Sequence, residues 1–471
     1  MMIPFRRTRI AAAVGGLAFA LSAGQALGAA FALQETTASG LGNAFAGGAA
    51  IAEDAGTAWS NPAGMSRFAT TQVSATMHLL TPSVEFSNEG TQTALNQQLG
   101  GEGGDAGNLN FIPAMFGVIP INKQFAFGLS VTGPFGLKTQ YGEGWMGRYL
   151  GVKSDIKTLN VNPSMSWKVS DRVSLGAGLS YQRIDATFTN AVNYSAALAQ
   201  AAGTAAAGGQ IPAALVPQIL AATPNLDANA NVTGDDGSWG WNVGALFDLD
   251  AKSRVGVHYR SAIKYNVNGN VEFSLPTLPT VPAQIAPVVA SLAAAVNANP
   301  ALANGGVTSD IELPQMFNVS YFRTLNDKWD VMADAQWTGW SSIEDLTFVR
   351  TTGVLLKSTP ENFEDAWRLS VGTNYRHNDK WMFRFGFAWD QTPVQDDYRT
   401  PRLPDSDRLW FSTGARYVLS KNMWTDVGLT YINASSASIN DNAGSTAANG
   451  RLVGSYDSSV TILSGQLTYQ F

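Results

Sequence analysis

The sequence predicts an all-β chain: a 14-stranded antiparallel transmembrane β-barrel with an N-terminal hatch, or plug, inside its lumen. Three observations predict it. Charged residues make up 14% of the 471 residues, against roughly 25% in an average soluble domain, while hydrophobic residues make up 45%. No apolar run after the N-terminal leader reaches the roughly 18 residues of a membrane-spanning helix, and the mean hydropathy of -0.03 is too low for a helical membrane protein. Apolar and polar residues alternate with a period of two in segment after segment, the pattern of a strand with one face in an apolar medium. Backbone groups left unpaired in lipid are costly, so a membrane chain without helices must cross as a closed barrel.

The first element is a leader. Arg6, Arg7 and Arg9 precede an apolar run from Ile10 to Leu21, and small residues follow to Gly28-Ala29-Ala30. That is the layout of a secretory signal over residues 1–30. A twin-Arg signal at Arg6-Arg7 is the competing reading, but no motif for a cofactor that needs folded export follows. The mature chain is expected beyond a bacterial cytoplasm, where disulfides are permitted, yet it has no Cys.

Residues 31–68 do not alternate. They are rich in small residues, with turns at Gly47-Gly48 and Asn61-Pro62. Eight strands make a barrel that side chains alone can fill, and fourteen leave a hole. A compact segment ahead of the barrel (69–471) is therefore expected to plug the lumen.

The strands are expected at about 70–86, 108–121, 123–142, 152–168, 172–190, 238–249, 253–273, 308–323, 328–350, 363–376, 380–391, 408–419, 423–437 and 457–471. The segment Trp381–Asp390 carries large apolar residues at each odd position, with Arg384, Gly386 and Asp390 among the even ones. Trp and Tyr near strand ends suit aromatic girdles, and the polar face suits a lumen. A secreted β-sandwich would alternate too, but it has no use for those girdles. Short turns near Asn122, Ser170-Asp171, Asp250-Ala251-Lys252, Asn326-Asp327, Asn378-Asp379 and Ser420-Lys421-Asn422 alternate with longer loops. That is the short-inside, long-outside topology of an outer-membrane barrel.

Two outer loops, about 187–237 and 274–307, hold long uncharged stretches that predict short helices around Leu215 and Ile219 and around Val288 and Leu292. Exposed apolar patches mark binding, so these four residues are candidates for a capture groove; mutual packing of the loops is the competing reading.

Catalytic and metal chemistry finds little support. His78, His258 and His377 lack ligand spacing, and neither a Gly-x-Ser-x-Gly elbow nor a phosphate loop is present. No metal, cofactor or catalytic residue is expected. A net charge of -6 without a basic run beyond the leader excludes nucleic acid as a partner.

The stretches Ser39–Gly47 (SGLGNAFAG), Ala52-Glu53-Asp54-Ala55 and Asn61-Pro62-Ala63-Gly64-Met65 resemble the hatch of the FadL-type outer-membrane long-chain fatty acid transporters. Gly133–Leu137, Gly147-Arg148-Tyr149, Thr392-Pro393-Val394 and Leu403–Trp410 (LPDSDRLW) are similar to further parts of that family. The resemblance implies a fourteen-stranded barrel with a hatch, passive uptake of hydrophobic molecules without nucleotide, and an inward-bent third strand beside the hatch. It implies an Arg and a Lys that meet a carboxylate, for which Arg183 and Lys357 stand at the nearest positions. Arg183 shares the parity of outward residues, so serving the lumen would require a bulge.

A lateral exit needs a gap in the wall. In the third strand Pro134 cannot donate to a ladder, and Gly133 and Gly136 permit a bend. Gly133, Pro134, Phe135 and Gly136 are therefore expected to gate such an exit, with Asn61, Pro62 and Ala63 against the bend. The alternative is that Pro134 only ends the strand. Phe31 and Leu33 are expected in the apolar pocket. Arg368, Arg376, Arg384 and Arg416 share inward parity and are expected to pair with Asp334, Asp390, Glu53 or Asp54. The expected partners are long-chain fatty acids or other hydrophobic small molecules and the lipids of the outer membrane, around a monomer. Rival functions are import of aromatic hydrocarbons, an outer-membrane lipid hydrolase using His78, and an adhesive surface barrel.

Overall fold

The computed structural model describes residues 30–441 and 444–471. The leader lies outside them except for Ala30. Fourteen antiparallel strands close into one barrel. In chain order they are β1 (Gln72–Asn88), β2 (Asn110–Pro120), β3 (Phe125–Thr132, then Gly136–Gln140), β4 (Lys153–Lys168), β5 (Val173–Asn193), β6 (Asp227–Asp248) and β7 (Ser253–Arg260, then Ile263–Ser274). There follow β8 (Gly305–Leu313, then Met316–Thr324), β9 (Trp329–Thr338, then Asp345–Arg350), β10 (Leu355–Pro360, then Ala366–Arg376), β11 (Trp381–Asp390), β12 (Arg408–Ser420), β13 (Met423–Ala434, then Ala437–Asn440) and β14 (Val453–Gln470). Each strand pairs with its sequence neighbours, and β1 closes the ring on β14 from Gln72↔Gln470 to Asn88↔Gly454.

The alternation decides which face meets what. Trp167, Trp239, Trp241, Trp329, Trp367 and Trp381 stand exposed on the outside, while Asn162, Arg384, Asp426 and Gln466 are buried inside. Among the described residues no helix is long and apolar enough to cross a membrane. At three inner turns the side chain of Asn122, Asn326 or Asn378 accepts hydrogen bonds from the backbone N–H groups two and three residues on. This Asx geometry fixes a tight reversal with one residue type.

The number and order of strands are as the alternation predicts. Three boundaries differ by four residues or more: β6 begins at Asp227 rather than 238, β10 at Leu355 rather than 363, and β14 at Val453 rather than 457. The added residues, such as Asn229-Ala230-Asn231 and Thr233-Gly234-Asp235, rise above the lipid-facing band. With no apolar medium on their outer face they carry no alternation to detect.

Candidate functional site

Residues 30–68 lie inside the barrel. They form helices α1 (Ala38–Gly42), α2 (Gly48–Ile51) and α3 (Thr57–Ser60), then a 3-10 turn over Pro62–Arg67. Inward glycines on the wall let this segment come close. A Cβ on Gly256 would sit 1.9 Å from the Ala49 carbonyl oxygen, and one on Gly386 would sit 2.1 Å from the carbonyl carbon of Asn43. Fully buried Asn61 donates from Nδ2 to the carbonyls of Ala49 (2.7 Å) and Ala245 (3.0 Å), and its Oδ1 accepts from Ala63 N (3.1 Å). A buried charge cluster adds to this. Arg384 reaches Asp426 (2.6 Å) and Glu53 (2.9 Å), while Arg416 lies 2.9 Å from Asp426 and 3.4 Å from Glu53. The expected pairing of Arg384 and Arg416 with Glu53 is thus observed, with Asp426 as a further carboxylate. Arg368 faces Asp390, one of its expected partners, across the β10–β11 ladder and donates to the Ala44 carbonyl (2.8 Å), and Arg376 pairs with Asp330.

The third strand breaks at Gly133-Pro134-Phe135. Its lower piece pairs with β2 only up to Met115↔Val131. Above that, β2 residues Asn110–Ala114 pair only with β1, and the upper piece Gly136–Gln140 pairs only with β4. The ladder between β2 and β3 is open there. The N-terminal segment covers the break from inside: Leu33 N donates to the Pro134 carbonyl (2.8 Å) and Gly136 N to the Phe31 carbonyl (2.9 Å). Asn61, Pro62 and Ala63 sit elsewhere. A Cβ on Gly176 (β5) would meet Ala63 N at 2.3 Å, and one on Gly244 (β6) would meet Asn61 Oδ1 at 2.0 Å. Sequence distance misled here, since the segment crosses the lumen and meets the bend with its first residues.

Above the segment lies an apolar cavity of about 80 Å³. Phe31, Ile156, Phe188, Leu346 and Phe363 form much of its wall, Glu361 and Arg402 supply polar groups, and Asp310, Glu312 and Asp345 line its other side. It adjoins a larger polar cleft between β7, β8 and β9 that includes Asp310, Glu312, Glu344 and Asp345. Arg402 comes from the loop between β11 and β12. It folds inward to donate to the carbonyl of Lys153 (3.1 Å) and the Oγ of Ser154 (3.2 Å), and lies over the Phe188 ring. These groups lie above the lipid-facing band, which on β10 begins at Trp367. Burial pushes the Glu361 carboxyl up to about 8. Burial, with Arg402 nearby, pushes the Lys357 ammonium down to about 8. Among the described residues, neither Lys357 nor Arg402 has an ion-pair partner within 4.0 Å.

Arg183 is not part of this group. It stands outside the barrel, half exposed, between Asp185 (3.1 Å) and Asp235 (3.0 Å). The ladder runs regularly through Leu159↔Arg183 and Arg183↔Gly237, so no bulge turns it inward. Arg402 holds the place that parity could not assign, because it sits on a loop with no period. Phe31 lines the upper cavity, and Leu33 lines a second one below.

The outer loops form helices α4 (Tyr194–Ala207), α5 (Val216–Ala222) and α6 (Ala286–Asn297). They pack on one another through Leu198, Ile219, Val289, Leu292 and Val296. Ile219 and Leu292 are thereby enclosed, while Leu215 and Val288 stay partly exposed. His78 points into the lumen, fully buried, with Nδ1 2.6 Å from the Oγ of Ser464. It faces away from the lipid that a wall-mounted hydrolase would attack.

Residues 19–471 match the family model described as outer membrane protein transport protein (OMPP1/FadL/TodX). The long-chain fatty acid transport protein of Escherichia coli K12 is 33% identical over 452 residues, covering 90% of this chain and 92% of that protein. Outer membrane protein P1 of Haemophilus influenzae is 30% identical, covering 88% of each. The crystal structure of a Pseudomonas aeruginosa FadL homologue superposes with a TM-score of 0.81 at 27% identity, covering 94% of this chain and all of that one. The Ralstonia pickettii toluene transporter TbuX shares the fold, with a TM-score of 0.59 at 20% identity over 90% of this chain and 96% of its own.

Proposed function

This chain belongs to the OMPP1/FadL/TodX family of outer-membrane transport proteins, and from that premise we propose that it carries long-chain fatty acids passively inward across the outer membrane. The observation that carries the proposal is the upper cavity: apolar walls meet Arg402, which has no carboxylate within 4.0 Å among the described residues, with the buried Lys357 close behind it and the Glu361 carboxyl pushed up to about 8 by burial, while Asp310, Glu312 and Asp345 line the side that faces the polar cleft. An aliphatic tail gains about 0.8 kcal/mol per buried methylene, and a buried cation without an acid favours an anionic head group.

The steps follow from the geometry. Amphiphiles gather on the outer helices, where Leu215 and Val288 offer the exposed apolar surface and Ile219 and Leu292 support it from beneath. The head group then passes to Lys357 and Arg402. The cavity of about 80 Å³ is smaller than the roughly 150 Å³ that accommodates benzene, so a full tail enters only as Phe31 yields. Phe31 and Leu33 are also the residues that cover the break at Gly133-Pro134-Phe135-Gly136. Movement of this short ladder opens the gap between β2 and β3, and the tail leaves sideways into the bilayer. Asn61, Pro62 and Ala63 hold the rest of the hatch in place. No step makes or breaks a covalent bond, so the chain is a carrier and not an enzyme.

Replacing Gly133, Pro134 and Gly136 together by Ala tests the exit. Uptake of radiolabelled oleate by cells should fall severalfold, with barrel folding and surface abundance unchanged; undiminished uptake would remove the lateral route. A neutral cargo such as an aromatic hydrocarbon is the second reading. The acidic cleft beside the upper cavity favours it, since Asp310, Glu312, Glu344 and Asp345 repel an anion arriving that way.

A further inference from the structure

Below the upper cavity, and separated from it by residues 31–33, lies a second cavity of about 100 Å³. Pro134 of the break forms one side, and Leu33, Trp59, His258, Arg260, Asp334 and Arg368 line much of the rest. Its two guanidiniums differ: Arg368 faces Asp390 across the β10–β11 ladder and has Asp334 and Glu35 nearby, whereas Arg260 has no such acid among the described residues. Asp334 is already engaged by Asn318 (2.7 Å) and Ser320. Buried Arg260 donates to the Trp59 carbonyl (3.1 Å) and, at 3.4 Å, to the Ser180 Oγ, and its guanidinium lies 3.4 Å from the centre of the Trp59 ring. Among the described residues no carboxylate lies within 4.0 Å of it. The buried Nε of Arg368 has no hydrogen-bond partner. Burying a guanidinium without an acid is unfavourable. Elsewhere in this lumen, Arg384 and Arg416 are each given two or more carboxylates.

We propose that this lower cavity is a second carboxylate station, in which Arg260 receives the head group of the transported amphiphile while its tail lies toward the break at Pro134. The inference rests on the fatty acid reading above and adds a site to it. Without such a station the head group would cross a buried space beside the hatch with no counter-charge. With it, the anion passes from the upper cations to Arg260, and the neutral tail needs only the gap in the wall. The competing role for Arg260 is structural: clamping Trp59 and so the hatch. That role is indifferent to the charge of the cargo.

The test uses the full-length mature protein in nanodiscs and two probes of equal chain length, decanoate and decanol. Lys357→Met and Arg402→Met together disable the upper site. In that background saturable decanoate binding should remain. Adding Arg260→Gln should weaken it by about tenfold or more, the loss expected for one charge-assisted hydrogen bond, with decanol binding unchanged. Arg260→Lys should stay within about threefold of the parent, since it keeps the charge. If Arg260→Gln leaves residual decanoate binding intact, or weakens acid and alcohol alike, Arg260 is structural and the station does not exist. If the upper-site pair alone leaves decanoate affinity at the wild-type value, the upper-site reading fails while the Arg260 comparison still decides the lower one.

Discussion

Lys357→Met and Arg402→Met probe the head-group assignment most sharply. Methionine keeps an unbranched apolar stem and fills irregular gaps, so the perturbation is chiefly one of charge. A hydrogen bond to a charged group is worth about 1.5–3 kcal/mol, and each 1.4 kcal/mol is about tenfold in affinity. Each single variant should therefore weaken dodecanoate binding about tenfold, and the pair about a hundredfold. The tail contribution is the same for dodecanoate and dodecanol, so dodecanol should bind the wild type and the variants alike. The alcohol also corrects for a second effect. Arg402 donates to Lys153 and Ser154, and truncating it loosens that wall for any ligand. Equilibrium dialysis of both ligands against protein in nanodiscs gives the difference directly. Equal weakening of acid and alcohol, or no weakening of the acid, would refute the reasoning.

Three further outcomes follow from the same geometry. Burial and its neighbours push Lys357 down to about 8 and Glu361 up to about 8, so the charge at this end of the pocket changes in that range. As pH rises through 8 one positive charge is lost and one negative charge is gained, so dodecanoate affinity should fall across pH 7–9 while dodecanol affinity stays flat, as read by dialysis at each pH. Gly256→Val puts a side chain where the Ala49 carbonyl lies 1.9 Å from a bare Cβ; overpacking of this kind costs about 1–3 kcal/mol, and planar-bilayer recordings should show raised ion conductance as the hatch is displaced. Asn61→Leu strands the carbonyls of Ala49 and Ala245 and the N–H of Ala63 in a buried site, at roughly 1 kcal/mol or more for each lost partner, which should lower the denaturant midpoint without changing the strand content seen by circular dichroism.

How far the sequence revealed the molecule depends on which medium each residue meets. Lipid imposes a period of two, so the strands that cross it, such as Trp381–Asp390, were visible residue by residue. Asp227–Gly237 was not, because water lies outside it and no apolar face forms. The wall glycines carry a signal of their own. Gly176, Gly244, Gly256 and Gly386 share the inward parity of their strands, and an inward row without side chains marks the path of something packed against the wall. The site was less legible. Phe31 could be placed by its position after the leader, and Lys357, suggested by resemblance, lies near Arg402 and Glu361 without lining the cavity. Arg402 could not, since its loop has no period and its contacts lie 248 and 249 residues back in the chain. Arg183 shows the reverse error: its parity said outside, and parity was right.

On the proposed route, cargo passes where residues 31–33 now cover the break in β3. Ala32 and Phe135 face each other as an isolated antiparallel bridge pair, with the Cα spacing of about 4.5–5.5 Å usual for such pairs, which a disulfide can span. The chain has no Cys of its own, so Ala32→Cys/Phe135→Cys can be oxidised and reduced without side reactions. Oleate uptake by cells bearing this variant is the measurement. Uptake should stop on oxidation and return with dithiothreitol, while dodecanoate still binds the oxidised protein; uptake that continues through the locked ladder would rule out passage at the break.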